Sequence, residues 1–541
     1  MTRLVVIGLD GGTDAVLGQA GMPHIAAVRR DGARAILRST VPPITSAAWP
    51  SLFTGWNPGR HGLYDFRRLQ IERYTRLWGP GQPAAFGEGA EFLTSARWAG
   101  ATLFDQAAAI GPVAVLSVPM TYPPWQVRGR LVAGFPLPNY GRNYTWPPEL
   151  AGDLPPVLEG ADRLAAMSDE ALAAHCHRLL DRQHEILRGW LAAGDAELVV
   201  AVFQATDFAQ HRLWRYLDRP GHPLRAALLD LYRAVDDIVG EVREHLGPDG
   251  TVAVVSDHGF GPHPRTVVHT DAVLADAGLL AVQGRRGAAT PVARRLLRGA
   301  PALRRRLRVA ARRLPPRAAG WLVNRYTGSG RVDWAATRAY RVPLYGAEGV
   351  VVNLRGRQSQ GAVDAGADYD RVRDHVIDLL TGLRDPATGA PVVSWARRRE
   401  DVYRGRYVED APDVVVLLEP PYKGGSGLDG PFGPVDPAVL ERYSGVHAMA
   451  GIFAVAGPGV VPGVDLGTRD IVDVAPTLLA LLGLPVPEDV DGCVMRDALR
   501  ARTVVPPVGA AATGAPPPAP ALTAEEEAAL ARSLRSLGYL E

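Results

Sequence analysis

The sequence predicts an α/β protein with a mostly parallel central sheet flanked by helices. Three apolar runs end on an aspartate: LVVIGLD at Asp10, LVVAVFQATD at Asp207 and TVAVVSD at Asp257. Runs this rich in Val, Ile and Leu are typical of strands buried on both faces, the usual condition in a parallel sheet. Between the last two runs, residues 223–246 place apolar residues at a spacing typical of an amphipathic helix. This alternation of strand and helix indicates a wound sheet.

The other elements follow from the same patterns. The Gly11-Gly12 pair allows a tight turn from the first strand into a helix. Residues 165–200 are helical in pattern and lead into the second strand. Near the C-terminus, HAMAGIFAVAGPGV (447–460) predicts another core strand, and DIVDVAPTLLALLGL (470–484) predicts an amphipathic helix. Shorter strands are expected at GVVVNL and DVVVLL, between residues 338 and 420.

The chain divides into a discontinuous core, an insert and a tail. Residues 1–284 and 401–503 are the two parts of the core, and residues 285–400 between them form an Arg-rich helical and mixed insert or cap. Residues 504–541 hold a Pro/Ala linker, which cannot pack a core, and a short C-terminal helix. The pair Thr523–Glu526 predicts a capping box at the start of that helix.

The cysteine count and the apolar runs limit the classes of protein to which this chain can belong. The formal net charge of +2 predicts neither nucleic-acid binding nor its absence. We expect no nucleic-acid partner. The only cysteines, Cys176 and Cys493, exclude a disulfide framework and a cysteine-rich metal site. The first strand starts at residue 4, and no apolar run approaches the roughly 20 residues that span a bilayer. We therefore expect a cytoplasmic protein without a signal peptide.

The Arg-dense residues 290–330 allow two interpretations. A basic, helix-prone segment can dock on an anionic membrane surface. A solvated helical insert is the favoured interpretation, because Arg supplies nearly all the basic residues of this chain and its abundance here carries little functional information. Membrane association through this segment is the weaker hypothesis.

The aspartates that end the three apolar runs predict a metal site. In parallel sheets the chemistry gathers outside the carboxyl ends of the strands, so the three carboxylates can converge on one crevice. Two of them are accompanied by histidines, because His211 follows Asp207 by four residues and His258 directly follows Asp257. Carboxylates and imidazoles brought together in this way are typical ligands of divalent cations.

A second informative segment is PPITSAAWPSLFTGWNPGRHGLYDF, residues 42–66. Thr45 lies where a helix is expected to begin, and free backbone N–H groups and the helix dipole favour an anion at such a position. A threonine hydroxyl needs activation to attack phosphorus, and a divalent cation can supply it near neutral pH. Thr45 is therefore the candidate nucleophile. His61, in NPGRHG, is predicted to be a turn or packing residue.

Taken together, these motifs resemble those of the alkaline phosphatase superfamily, and within it the type I phosphodiesterase/nucleotide pyrophosphatase family. That family shows an early strand-end Asp, a Thr or Ser ten residues before the Gly of a T-G pair, then D-x-x-x-H, D-H-G and a late G-x-H. The resemblance spans about residues 4–500, and the C-terminal tail adds little to it. The matching residues here, in order, are Asp10, Thr45 before Thr54-Gly55, Asp207 with His211, Asp257-His258-Gly259, and Gly445-Val446-His447.

The resemblance implies an alkaline-phosphatase-like core with an inserted cap and a site with two divalent metal ions, zinc or, as the alternative, manganese. It implies that Thr45 attacks the phosphorus of a small-molecule phosphoester. It also implies two ligand sets. The first is Asp207, His211 and His447, and the second is Asp10, Asp257 and His258 with the Thr45 hydroxyl.

One departure from the family pattern concerns the contact to a phosphoryl oxygen. Nucleotide pyrophosphatases place an asparagine three residues after the nucleophile, whereas this chain has Ala48. The contact must come from another donor, and we expect a backbone N–H or the indole of Trp49. Nucleotides are therefore not the expected substrates, although phosphoester chemistry is.

The favoured function is a metal-dependent phosphodiesterase or pyrophosphatase. A phosphomonoesterase of the same superfamily is the first alternative. The second is a non-catalytic scaffold that binds a phosphorylated ligand, which the complete ligand set disfavours. No motif specifies the substrate or an oligomeric state.

Overall fold

The computed structural model describes residues 2–74, 91–138, 143–154, 161–282, 332–428, 430–501, 503, 509, 522–537 and 539. The Arg-dense segment 290–330 and nearly all of the Pro/Ala linker lie outside the described residues. The predicted α/β class with a large, mostly parallel sheet is confirmed. The described strands are β1 Leu4–Leu9, β2 Ala33–Arg38, β3 Val113–Val118, β4 Gly129–Ala133, β5 Thr145–Trp146, β6 Leu198–Phe203, β7 Thr251–Val255, β8 Gly259–Pro262, β9 Thr266–His269, β10 Ala339–Leu344, β11 Ala347–Val352, β12 Val393–Arg398, β13 Val414–Leu418, β14 Tyr422–Gly425, β15 Phe432–Pro434, β16 Gly445–Ala448, β17 Ala450–Ala456 and β18 Val464–Asp470.

The helices flank this sheet. The long amphipathic helix predicted over residues 223–246 is confirmed with those bounds. No helix among the described residues is long and apolar enough to span a bilayer. The described α-helices are α1 Asp14–Ala20, α2 Pro23–Asp31, α3 Thr45–Thr54, α4 Pro58–His61, α5 Leu103–Ala107, α6 Asp169–Ala193, α7 Ala205–Leu213, α8 Pro223–Leu246, α9 Thr270–Asp276, α10 Ala367–Thr381, α11 Arg399–Val402, α12 Pro437–Arg442, α13 Val474–Leu482 and α14 Ala524–Leu537.

The central sheet has nine strands in the order β18-β2-β17-β7-β1-β6-β3-β4-β5. Its middle strands β7, β1, β6 and β3 are parallel neighbours, and their residues are buried on both faces. β17 lies between β2 and β7 in the central sheet and is antiparallel to both. The core strand predicted within residues 447–460 is β17, whereas His447 and Ala448 belong to β16.

The order of the middle strands brings the predicted site residues together. β1 lies between β7 and β6, so the carboxyl ends of these three strands are adjacent. Asp10 directly follows β1, and Asp257 comes two residues after β7. Asp207 differs from the prediction, because β6 ends at Phe203 and Asp207 lies in the first turn of α7. Helical geometry then places His211 one turn further along the same face.

Two smaller elements complete the surroundings of the site. β16 pairs antiparallel with β8, which begins at Gly259 of the D-H-G motif, and the register places His447 opposite Phe260. This ribbon is what carries His447 to the strand ends. The strands predicted at GVVVNL and DVVVLL are β11 and β13, and they belong to a separate four-stranded antiparallel sheet.

The start of α2 shows how a buried carboxylate outside the site is satisfied. Met22 precedes α2 and has no side-chain oxygen to cap it. Asp236, on α8, accepts hydrogen bonds from the backbone N–H groups of His24 at 3.0 Å and Ile25 at 2.7 Å. The carboxylate therefore caps α2 from a neighbouring helix.

Candidate metal centre and active site

The three strand-end aspartates converge in a buried crevice, where each side chain is about 1% exposed. In each, one carboxylate oxygen has no hydrogen-bond partner among the described residues: Asp10 Oδ1, Asp207 Oδ1 and Asp257 Oδ2. Buried carboxylate oxygens without donors are costly unless a cation neutralises them. The donors to the other oxygens are the Trp49 indole N–H for Asp10 at 3.1 Å, the Tyr539 hydroxyl for Asp207 at 3.2 Å, and the Gly11 N–H for Asp257 at 3.1 Å.

All three predicted histidines are oriented in the same way. Nδ1 of His211 lies 3.3 Å from the Gly445 carbonyl, and that of His258 lies 3.1 Å from the carbonyl of the residue after it. Nδ1 of His447 lies 2.9 Å from the Pro43 carbonyl. A carbonyl oxygen only accepts, so each Nδ1 carries the hydrogen and each Nε2 is left to face the site. Metal-binding histidines are typically held by such hydrogen bonds.

Asp207, His211 and His447 form the first cluster. Asp207 Oδ1 lies 3.1 Å from His447 Nε2 and 3.5 Å from His211 Nε2, and the two Nε2 atoms are 3.2 Å apart. Four tetrahedral ligands at the usual zinc distances are separated by roughly 3.3 Å. The three donor atoms thus already have the spacing of three vertices of a tetrahedral site.

A second cluster lies beside the first. His258 Nε2 is 3.0 Å from Asp257 Oδ2 and 3.7 Å from Asp10 Oδ1. Ligand atoms of Asp10, Asp207 and His258 all lie within 4.8 Å of one another. Asp207 therefore borders both clusters, whereas the family resemblance implied that it belongs to the first ligand set alone. The predicted ligands of both sets are brought together in one crevice.

Thr45 is the first residue of α3, as predicted, and its hydroxyl lies beside the second cluster. Its Oγ1 is 3.3 Å from His258 Nε2 and 3.3 Å from the hydroxyl of Tyr539, which itself contacts Asp207. The Thr45 side chain is buried, so its hydroxyl meets little bulk water. Its two roles, as a ligand and as an attacking group, stay predictions.

The carboxylates have strongly perturbed acidities. Burial, reinforced by the negative charges of Asp257 and Asp207, raises the pKa of Asp10 well above its ordinary value. Burial would also raise the pKa of Asp207, but the neighbouring imidazoles of His211 and His447 outweigh it and lower this pKa. Like charges crowded in a dry crevice indicate a place where a cation is needed.

The pKa values of two imidazoles in the site are also shifted, in opposite directions. Burial would lower the pKa of His258, but the adjacent Asp257 carboxylate outweighs it and raises this pKa. Burial and the neighbouring His258 lower the pKa of His447 to about 3. His447 therefore keeps a free Nε2 lone pair at neutral pH, the form in which imidazole binds a metal. The residues present fit divalent cations.

Trp49 has a different role from the one predicted. Its indole N–H donates to Asp10 Oδ2 at 3.1 Å, so it orients a carboxylate and is not available to a phosphoryl oxygen. The ring reaches Asp10 by lying against β1 at Gly8, where a Cβ atom would come within 2.6 Å of it. The expectation that Trp49 replaces the missing asparagine at Ala48 is therefore wrong.

Two other sequence candidates lie outside the site, as predicted. His61 is buried and its Nε2 is 2.9 Å from the Ser51 hydroxyl, which makes it a packing residue of the α3–α4 turn. Burial lowers the pKa of His61 to about 3, so it stays neutral. Cys176 lies buried within α6 and is a free thiol.

Tyr539 is a residue of the site that no sequence motif predicts. It follows α14 and its hydroxyl contacts Thr45, Asp207 and His447. An aromatic residue after an amphipathic helix is usually a packing residue. The sequence of the Pro/Ala linker does not indicate where the helix docks. The only signal is the aromatic residue itself, in the sequence SLGYL at the C-terminus.

Asp65 lies near the site and gives a prediction about stability and pH. Burial raises its pKa to about 7. Because the folded state holds this proton up to a higher pH than the unfolded state, the Asp65 contribution to stability falls between about pH 4 and pH 7, by a few kcal/mol. Asp65→Asn removes this loss, so the melting temperature of the variant relative to the wild type should rise between pH 5 and pH 8. Exposed Asp249→Asn is the control, and parallel melting profiles for Asp65→Asn and the wild type would contradict the prediction.

Comparisons with solved structures found similar proteins. The structure of human ectonucleotide pyrophosphatase/phosphodiesterase 5 is similar over 92% of this chain and 100% of that chain, at 12% identity and a TM-score of 0.47. The murine protein of the same name, in an inactive form in complex with AMP, matches over the same shares at 13% identity and a TM-score of 0.46. A search of curated proteins found no significant match.

The sequence profile of one family covers most of the chain. The profile of type I phosphodiesterase/nucleotide pyrophosphatase matches residues 4–431, which include six of the seven predicted site residues. The seventh, His447, lies beyond the matched range, and its place in the site comes from the β8–β16 ribbon. This chain belongs to the type I phosphodiesterase/nucleotide pyrophosphatase family and is a hydrolase of phosphoester bonds.

Proposed function

We propose that this protein hydrolyses a phosphodiester or pyrophosphate bond of a small molecule, with Thr45 as the nucleophile and two divalent cations as cofactors. One observation carries the proposal. Three buried carboxylate oxygens without hydrogen-bond donors and three imidazole Nε2 atoms lie in one crevice, with the Thr45 hydroxyl 3.3 Å from His258 Nε2. Acceptor atoms that face one another repel unless cations lie between them.

We assign two ligand sets, which the two clusters support. Asp207, His211 and His447 would hold one cation, and a second would be held by Asp10, Asp257 and His258 with the Thr45 hydroxyl. Carboxylate and imidazole ligands together suit zinc, with manganese as the alternative. Two bound cations would lower the pKa of coordinated hydroxyls and neutralise the charge that develops on both oxygens of an in-line displacement.

The residues of the chain supply the covalent step. Thr45 Oγ attacks the phosphorus and the bond to the leaving alcohol or phosphate breaks, which leaves a phosphoester of Thr45. Water then attacks the same phosphorus, and the Thr45 oxygen leaves and regains a proton. The start of α3 holds Thr45 where the helix dipole favours the developing negative charge.

The contact to a phosphoryl oxygen of the substrate needs a donor other than the side chains of residues 48 and 49. Ala48 cannot bind a phosphoryl oxygen, and the Trp49 indole is engaged by Asp10. The backbone N–H groups at the start of α3 are then the donors we assign to this oxygen. A phosphomonoesterase remains the competing proposal. The scaffold alternative receives no support, because the chain belongs to a family of hydrolases and retains the complete ligand set.

A substrate pair tests the proposed function. We expect the zinc-loaded protein to hydrolyse bis-p-nitrophenyl phosphate at least about tenfold more efficiently than p-nitrophenyl phosphate, measured as kcat/KM from p-nitrophenol release. A diesterase pocket tolerates the second substituent, and a monoester brings an additional negative charge toward the aspartates. The chelated protein is the control. The reverse order of efficiency would establish the monoesterase, and no hydrolysis of either ester or of a pyrophosphate would contradict the proposal.

A further inference from the structure

The hydroxyl of Tyr539 lies where a substrate has to bind. It donates to Asp207 Oδ2 at 3.2 Å, and it is 3.4 Å from His447 Nε2 and 3.3 Å from Thr45 Oγ1. A group that reacts with Thr45 must place its phosphorus about 3–3.5 Å from that hydroxyl. The Tyr539 oxygen already occupies this distance from the nucleophile, on the side where the first cluster lies.

The ring of Tyr539 packs against three aromatic side chains. Its centroid lies 4.9 Å from that of Phe66, 5.4 Å from Tyr345 and 6.0 Å from Phe135. The whole residue is 8% exposed, although it lies at the end of the chain. Aromatic contacts of this kind contribute to stability beyond the area that they bury. The Tyr539 side chain is therefore held in the crevice by its own aromatic contacts.

Helix α14 carries Tyr539 into this position. Thr523 and Glu526 form the predicted capping box, with the Thr523 N–H donating to Glu526 at 2.8 Å and the Glu526 N–H to Thr523 at 3.2 Å. Glu526 also accepts a hydrogen bond of 2.7 Å from the hydroxyl of Tyr122. Leu530 and Leu534 are buried against the core.

The attachment of this helix is small compared with the core. Its buried apolar residues among those described are Leu530, Ala531 and Leu534, and the sequence that precedes it, residues 504–521, is rich in Pro and Ala. Such a segment can leave the crevice without unfolding the sheet.

We propose that residues 522–541 form an autoinhibitory tail, in which Tyr539 occupies the position of the phosphoester and must leave before substrate binds. The proposal goes beyond the hydrolysis itself, because it concerns when the site is open. If the tail is seated in nine molecules of ten, the apparent affinity for substrate is lowered about tenfold. By linkage, a ligand that occupies the site must weaken the docking of the tail to the same extent.

The first experiment uses the full chain and measures kcat/KM with bis-p-nitrophenyl phosphate. Tyr539→Ala should raise kcat/KM about tenfold, mainly through a lower KM, and Tyr539→Phe should raise it less, because its ring keeps the aromatic contacts. Exposed Arg532→Ala, on the same helix, is the matched control and should leave kcat/KM unchanged. A synthetic peptide of residues 522–541 should inhibit Tyr539→Ala in trans. Equal or lower kcat/KM in Tyr539→Ala would overturn the proposal.

The second experiment needs neither a variant nor turnover. Hydrogen exchange of α14 is measured in the zinc-loaded wild-type protein with and without saturating inorganic phosphate. Backbone amides of Ala524–Leu537 should exchange faster with phosphate, while those of β1 stay protected. Unchanged protection of α14 under phosphate would overturn the proposal. Release of α14 by phosphate in a protein that hydrolyses no ester would instead refute the proposed function, while the competition between Tyr539 and phosphate for the site would stand.

Discussion

Thr45→Ala should lower kcat for bis-p-nitrophenyl phosphate by roughly four orders of magnitude, because it removes the atom that forms the covalent bond to phosphorus. The zinc content should stay at two ions per chain. The three aspartates and three histidines that face the crevice are untouched by this change, and they supply most of the ligands. Measured together, turnover and metal content by mass spectrometry separate the loss of a nucleophile from the loss of the site.

Thr45→Ser is the matched control, because it keeps the hydroxyl and removes only a methyl group. It should retain activity within about a hundredfold of the wild type. In the wild type, rapid quenching during turnover should trap a phosphoester on Thr45, visible as a mass increase on the peptide that contains residues 42–66. A Thr45→Ala protein that keeps more than a tenth of the wild-type turnover would refute the nucleophile assignment.

The residues at the strand ends could be predicted from the sequence, because the burial of a strand determines where it lies in the sheet. An apolar run buried on both faces belongs in the middle of a parallel sheet, and the residues after such strands share one edge. Asp10 and Asp257 follow from this rule directly. Asp207 shows its limit, since the strand ends at Phe203 and the residue reaches the crevice on the first turn of α7.

The positions of His447 and Tyr539 depend on contacts that are distant in sequence. His447 reaches the site because β16 pairs with β8, a pairing that a four-residue strand does not reveal by its composition. The family pattern supplied His447 where periodicity could not. Tyr539 has neither a strand pattern nor a family motif, and its position depends on how α14 docks beyond the linker. The role of Trp49 was missed because its ring packs over Gly8, a contact between β1 and α3.

Asp10→Asn should reduce the metal content from two ions per chain to one and lower kcat by roughly three orders of magnitude. Its effect on stability should change sign with the metal. In the chelated protein, Asp10 is buried beside Asp207 and Asp257, and both burial and their charges raise its pKa. A neutral amide relieves this repulsion, while Trp49 still has an oxygen to which it donates. The chelated variant should therefore melt at a higher temperature than the chelated wild type.

With saturating zinc the order of melting temperatures should reverse, because the wild type gains the binding free energy of two ions and the variant gains that of one. Asp236→Asn is the matched control, since this carboxylate is equally buried but caps α2. It should lower the melting temperature in chelator and in zinc alike and leave the metal content unchanged. If Asp10→Asn behaves like Asp236→Asn, Asp10 is a structural carboxylate and the second cation is not held where we propose. If the order of melting temperatures reverses only for Asp10→Asn, the repulsion among the strand-end carboxylates is what the metal relieves.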